Sequence, residues 1–430
     1  MKQLKTSGLG AIALCVIAVG TPARAEEKMP PHFSVHQTDF GAVFTDENGM
    51  TLYQPVGRVG DGAGVHGGCE PYVSGNGPDQ GPVGADLNMA FRGSATCADK
   101  FPIVLAGGDA KPVGKWTIVT RSDGRKQWAY DGHSLFRSIR DSMPGDVNGV
   151  EINFDRSIGE PVFVPVATVP GVQLVRNGLG QYLTTAGGMS LYTFDEDGRG
   201  KSACENSCTN TWQPLLTGTL VKSTPADWSV VTRGDGARQW AYKGKPLYTN
   251  VNDIVTGYRK GDGVKGWHVA LLSPPVGLPA EVTTRDTWLG QAYADAKDGH
   301  SLYTFSCKFG VQCDDPADSA SYWRYWYSFC GEPEDCAKMF HPLLAPKNAK
   351  AIGRTWTVVK IKAPWAPVRL ADNVQERSLS VWAYKGRPLF TFSGDEKPGN
   401  FNAIGFERGS GSFRWTAFGP LGDINVQVAQ

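Results

Sequence analysis

Two tryptophan-marked segments recur along the chain at one interval: Trp116 to Trp228 is 112 residues, and Trp128 to Trp240 is again 112. A period held at two separate landmarks means that the chain builds one structural unit more than once. The third copy is marked by Trp356 and Trp382. Around the second landmark the three copies read Trp128-Ala129-Tyr130-Asp131-Gly132, Trp240-Ala241-Tyr242-Lys243-Gly244 and Trp382-Ala383-Tyr384-Lys385-Gly386. Each is followed by a Leu-aromatic pair: Leu135-Phe136, Leu247-Tyr248 or Leu389-Phe390. An earlier element, Gly49 to Tyr53, returns as Gly188 to Tyr192 and Gly299 to Tyr303, each ending in Leu-Tyr.

The halves of a repeat also resemble each other. Gln181-Tyr182-Leu183 passes through a Gly turn to Leu191-Tyr192-Thr193, as Gln239-Trp240-Ala241 passes through Lys243-Gly244 to Leu247-Tyr248-Thr249. Aromatic and β-branched residues flanking a tight Gly turn signal a β-hairpin. Six such hairpins, without sustained helical periodicity, predict an all-β chain. A lone hairpin is marginal in water, so the units must share cores. The expected architecture is three tandem repeats, each of two related antiparallel hairpin units, set around a pseudo-threefold or propeller-like centre and stapled by disulfides. Separate β-domains on a string are the alternative. The expected divisions are a signal peptide at 1–25, an N-terminal segment at 26–35, repeat one at 36–167 with a Gly-rich insertion, repeat two at 168–277, repeat three at 278–421 with an aromatic insertion, and a tail at 422–430.

The first residues read as an export signal: Lys2 and Lys5, an apolar run from Leu9 to Gly20, then Ala23-Arg24-Ala25. Cleavage after Ala25 places the mature chain in the periplasm or outside the cell, and discards Cys15 with the signal. Nothing later is apolar for long enough to predict a transmembrane segment. Cleavage also leaves 40 Lys and Arg against 42 Asp and Glu, a balance that gives no field for nucleic acid. The eight remaining cysteines are Cys69, Cys97, Cys204, Cys208, Cys307, Cys313, Cys330 and Cys336. An even number in an oxidising compartment predicts disulfides. Neither a haem-attachment motif nor paired Cys-x-x-Cys zinc knuckles occur, and no metal site is predicted. Cys97, Cys208 and Cys336 each precede a Phe- or Trp-centred segment, with Cys69, Cys204 and Cys330 as expected partners and Cys307 to Cys313 as an extra staple. The last two pairs could exchange partners.

Tyr192, Phe194 and Asp197, followed by Lys201, Cys204, Cys208, Trp212, Pro214 and Leu215, resemble the bacterial secreted-repeat family, often lipoproteins, marked by Tyr-x-(Phe/Trp/Tyr)-x-x-Asp. Repeat three has Tyr303 and Phe305 but Lys308 in place of the Asp, and repeat one has Tyr53 with Pro55 and Arg58. The second half of repeat three echoes the motif in Phe390, Phe392 and Asp395. The family's molecular function is unsettled, so the resemblance implies an envelope location and little chemistry. A turn-forming Asp can be dispensed with where a catalytic one could not.

Several segments are candidates for function. Tyr322, Trp323, Tyr325, Trp326 and Tyr327 crowd an insertion between Cys313 and Cys330. Such aromatics suit stacking on sugar rings or anchoring an envelope protein, and the competing reading is a lid over the core. The stretch from Gly57 to Gly84 holds ten glycines without a helix signal to make a phosphate cradle. Asp195 and Asp197 resemble the start of a calcium loop, but the terminal Glu of an EF-hand is absent and a polar turn is preferred. Asp141, Asp253 and Asp395 each precede a Gly by four positions, a recurrence that reads as a structural turn. His32 and His36 could capture copper or nickel, although a frayed terminus is the preferred reading. No local signature places a catalytic triad. These observations favour a non-catalytic binding or assembly protein. An accessory to envelope redox or metal-handling proteins and a glycan-active enzyme are the alternatives.

Overall fold

The computed structural model describes residues 28–54, 101–121, 123–149, 160–254, 257–287, 290–307, 333–361, 379–404, 413–419 and 422–424. The second hairpin of each repeat is the clearest element. Trp116–Thr120 pairs with Lys126–Tyr130, Trp228–Thr232 with Arg238–Tyr242, and Trp356–Ile361 with Leu379–Tyr384. The register is the same in all three: Trp116 opposes Tyr130, Trp228 opposes Tyr242, and Trp356 opposes Tyr384. The next strand is reached through Asp131-Gly132, Lys243-Gly244 or Lys385-Gly386, with both residues of each pair at positive φ. That is the type I′ geometry matching the twist of paired strands, and a Gly at its second position adopts it without a Cβ penalty.

The first halves follow the same plan. Hairpins Ser34–Thr38 with Gly41–Thr45, Val172–Asn177 with Gly180–Thr185, and Val282–Thr287 with Gly290–Asp295 open the three repeats. In each, the Leu of the following Leu-Tyr pair donates its N–H back to the hairpin: Leu52 to Phe44, Leu191 to Leu183, Leu302 to Tyr293. The strands carrying the aromatic residues then join the two halves, since Tyr53 bridges Phe136, Tyr192 pairs with Tyr248, and Tyr303 pairs with Phe390.

Alternation along these short strands divides repeats one and two into two cores each. In repeat two, Leu191 and Leu247 face a cluster with Trp228, Trp240 and Tyr242. Tyr192 and Tyr248 face a second cluster with Trp212 and Trp267. Trp212 and Trp267 are stacked with ring centres 3.7 Å apart, and Phe194 continues the stack at 4.4 Å from Trp267. Each fully buried aromatic or Leu contributes about 2–3 kcal/mol through burial. The Leu-aromatic pair is therefore the seam between two apolar layers.

The described strands form nine sheets, three in each repeat, and none crosses from one repeat to another. They close neither a barrel nor a propeller. The repeats touch through side chains instead. Asp39 Oδ2 of repeat one accepts from the Arg354 N–H at 2.6 Å, the Thr355 N–H at 2.9 Å and Thr355 Oγ1 at 2.7 Å. Lys385 Nζ lies 4.4 Å from the centre of the Phe40 ring, and the Arg176 guanidinium 4.3 Å from that of Phe163.

Two local features differ from the sequence reading. The chain before repeat one is anchored, because Phe33 is buried and stacks on Trp116 at 4.4 Å. A short helix, Pro333–Met339, interrupts the all-β pattern. Pro333 opens it, where a missing N–H costs nothing, and Lys338 lies in its last turn.

Candidate functional site

The same buried contact recurs in every repeat. Tyr53 OH donates to Asp141 Oδ2 at 2.8 Å, Tyr192 OH to Asp253 Oδ2 at 2.5 Å, and Tyr303 OH to Asp395 Oδ2 at 2.6 Å. The second oxygen of each Asp accepts a backbone N–H seven residues on: Asn148 at 2.8 Å, Lys260 at 2.7 Å, Asn402 at 2.8 Å. In repeats one and two another N–H, from Gly149 or Gly261, donates to the Tyr oxygen. The Tyr comes from the first half, and the Asp with its loop from the second. Each contact therefore pins a loop of one half onto the core of the other, closing a clamp. In repeats one and two the loop returns through a glycine, and a Cβ on Gly149 or Gly261 would run into the Tyr53 or Tyr192 ring; repeat three has the buried Ala403 there.

Repeat two adds the reciprocal clamp. Tyr248 OH of the second half donates to Asp197 Oδ1 of the first at 3.1 Å, and the Ala203 N–H donates to the same oxygen at 2.7 Å. Arg233, itself buried, ties this corner together. Its guanidinium donates to Ser202 Oγ at 2.8 Å, to Gln239 Oε1 at 2.7 Å and to the Cys204 carbonyl. Ser202 Oγ lies 2.9 Å from Tyr248 OH. Cys204 and Cys208 form a disulfide around the turn Asn206–Asn210. Repeat one keeps the Arg-Gln pair, with Arg121 donating to Gln127 Oε1 at 2.7 Å. Gln127 and Gln239 each donate onward to a Leu carbonyl, of Leu135 and Leu247.

Burial sets the electrostatics of these clamps. It raises the carboxyls of Asp197, Asp253 and Asp395 above the ordinary range and pushes Asp141 up to about 7. Burial likewise raises Tyr53, Tyr192 and Tyr303, and takes Tyr248 to about 12, so the hydroxyls stay protonated as donors. Tyr53, Tyr192, Tyr248 and Tyr303 are fully buried. Their chemistry is to hold two halves together. A substrate has no access to the donor or the acceptor.

The motif residues Tyr192, Phe194 and Asp197 thus take different partners: Tyr192 binds Asp253, Asp197 binds Tyr248, and Phe194 stacks on Trp267. The neighbouring Asp195 turns outward and contacts His268 Nε2 at 3.0 Å. The two carboxylates considered for calcium therefore diverge. No group of three or more His, Cys, Asp or Glu poised to hold a metal occurs among the described residues. His36 lies in a strand against Gly145, and His32 is exposed in the turn before it. Tyr322, Trp323, Tyr325, Trp326 and Tyr327 lie outside the described residues, as do Cys69, Cys97, Cys313 and Cys330; Cys307 ends a strand and Cys336 lies in the short helix. Sequence reasoning missed the Arg-Gln pair. Its signal was present in Thr120-Arg121 and Thr232-Arg233, each followed at one spacing by Gln127-Trp128 or Gln239-Trp240.

No helix among the described residues is long and apolar enough to cross a membrane. Neither a curated protein nor a solved structure matches the chain. One family does, described as a secreted repeat of unknown function, over residues 117–154, 173–216 and 229–271. Each match covers one half of a structural repeat, so the clamps of repeat two run between two copies of the family unit. The first half of repeat one and all of repeat three lie beyond the matches but share the hairpins, the Leu-aromatic seam and the clamp. The chain carries three matched copies of this secreted repeat, and its structure extends the same design to the remaining halves.

Proposed function

We propose that this is an exported, non-catalytic binding or assembly protein of the bacterial envelope, with its specificity in one loop per repeat. The observation that carries the reading is the place where the repeats diverge. The segment leaving the first Leu-Tyr strand spans 48 residues from Tyr53 to Phe101, 20 from Tyr192 to Trp212 and 37 from Tyr303 to Phe340. The Gly-rich insertion, the disulfide loop and the aromatic insertion thus occupy one topological position. A fixed scaffold that varies at one loop position is the usual arrangement of a recognition surface. Contacts of repeat one with both others, through Asp39, Phe40 and Phe163, support a pseudo-threefold grouping that would bring the three loops into one assembly.

The partner is an envelope protein or a glycan, met by Tyr322, Trp323, Tyr325, Trp326 and Tyr327, whose rings offer rigid area for stacking. The basic start, apolar run and Ala23-Arg24-Ala25 of the first residues, together with the secreted character of the family, support a periplasmic or secreted location after cleavage at Ala25. The test is retention from the native envelope extract, read by mass spectrometry and on a glycan panel, with the mature protein and a Trp323→Ala/Trp326→Ala variant as baits. The proposal predicts a protein or glycan held by the first and lost by the second. Equal retention by both baits overturns it.

A further inference from the structure

We infer that the Cys204–Cys208 disulfide is a thiol-exchange site, opened through Cys208 by a dithiol partner, and that its opening releases the second clamp of repeat two. Burial gives the bond a direction. Cys204 is fully buried in the second core, whereas Cys208 is half-buried at the surface turn Asn206–Asn210. An incoming thiolate therefore reaches Cys208 Sγ. There it forms a new S–S bond, the Cys204–Cys208 bond breaks, and the electron pair leaves on Cys204 Sγ. The Arg233 guanidinium lies against the Cys204 carbonyl, which puts positive charge beside the departing thiolate's residue. The partner's second thiolate then attacks the mixed disulfide. Cys208 departs as thiolate, both cysteines take protons from solvent, and the partner is left as a disulfide.

The loop that would move is wired into the clamp. Ala203, next to Cys204, supplies the N–H that holds Asp197, and Ser202 contacts both Tyr248 and Arg233. On the far side, Glu205 Oε1 accepts the Gly234 N–H at 2.9 Å. The two cysteines are only four positions apart, so under the chain-entropy model the bond restricts the unfolded chain less than a long-loop disulfide does. Opening it leaves the rest of the repeat folded, including the Tyr192–Asp253 clamp, which shares no residue with the loop.

Treatment of the mature, folded protein with glutathione, followed by acid trapping and peptide mapping, tests the direction of attack. A dithiothreitol titration with hydrogen exchange tests the consequence. The adduct is expected on Cys208 and not on Cys204. Exchange over residues 198–211 should rise about tenfold, equivalent to about 1.4 kcal/mol of local stability, with the Tyr192 strand unchanged. A Cys204→Ser variant treated with oxidised glutathione should exchange to the Cys208 mixed disulfide, releasing one glutathione thiol, whereas Cys208→Ser should leave Cys204 unmodified; the wild-type mapping decides the matter if either variant fails to fold. An adduct on Cys204, or reduction only when the whole repeat unfolds, overturns the inference.

Discussion

Repeat two carries two tyrosine–aspartate clamps, whereas the described residues of repeats one and three show one each. The difference follows a rule. Where repeat two has Tyr248, the other repeats have Phe136 and Phe390; where it has Asp197, their sequences have Arg58 and Lys308. The hydroxyl and the carboxylate disappear together. A second exchange obeys the same rule, since the positions of Arg121–Gln127 and Arg233–Gln239 hold Ile361 and Val381 in repeat three, both completely buried. Removing one member of a buried polar pair strands the other, at a cost of about 1–3 kcal/mol, while replacing both by apolar groups is close to neutral. The repeats have diverged by whole pairs, which marks these residues as structural partners.

Four experiments could break or sharpen that comparison. The largest effect belongs to what the repeats share. Trp128→Ala, Trp240→Ala and Trp382→Ala should each cost about 3–5 kcal/mol in chemical denaturation, and a loss below about 1 kcal/mol in one repeat would show that its core differs. Next comes Arg233→Leu, which strands Gln239, Ser202 and the Cys204 carbonyl and should cost more than Arg121→Leu. Equal losses would mean that the disulfide corner adds nothing. Tyr248→Phe should cost about 1.5–3 kcal/mol by removing a donor to a carboxylate, whereas the natural Phe136 and Phe390 lack an Asp to serve.

The last test is a slope with pH. Folded Asp141 titrates at about 7 against an ordinary value of 3.8, because burial disfavours its charge. Between those values the folded state holds a proton that the unfolded state has released. Its contribution to stability is therefore full below about pH 4 and is lost as pH rises towards 7. Asp141→Asn should flatten that part of the stability profile. An unchanged slope would place the titration elsewhere.

Much of the fold was legible because its landmarks are local. The Trp-Ala-Tyr strands, the Lys243-Gly244 and Lys385-Gly386 turns and the Leu-Tyr pairs each declare themselves within a few residues. The clamps did not, because Tyr192 and Asp253 are 61 positions apart and Tyr53 and Asp141 are 88. Sequence showed Asp141, Asp253 and Asp395 as recurring turn residues, but not that a Tyr from the other half holds each one. The described strands close no propeller, and a strand such as Tyr192–Phe194 already has neighbours from its own repeat on both sides. The helix Pro333–Met339 was overlooked because seven residues are too few to display a helical period.

The central claim, that buried polar groups here are exchanged only in pairs, is tested most directly by moving repeat three's solution into repeat one. Denaturant unfolding of Arg121→Ile, Gln127→Val and the double variant closes one cycle. The account predicts that each single change costs about 1–3 kcal/mol and that the double variant recovers to within about 1 kcal/mol of the starting protein. Additive losses in the double variant would contradict it.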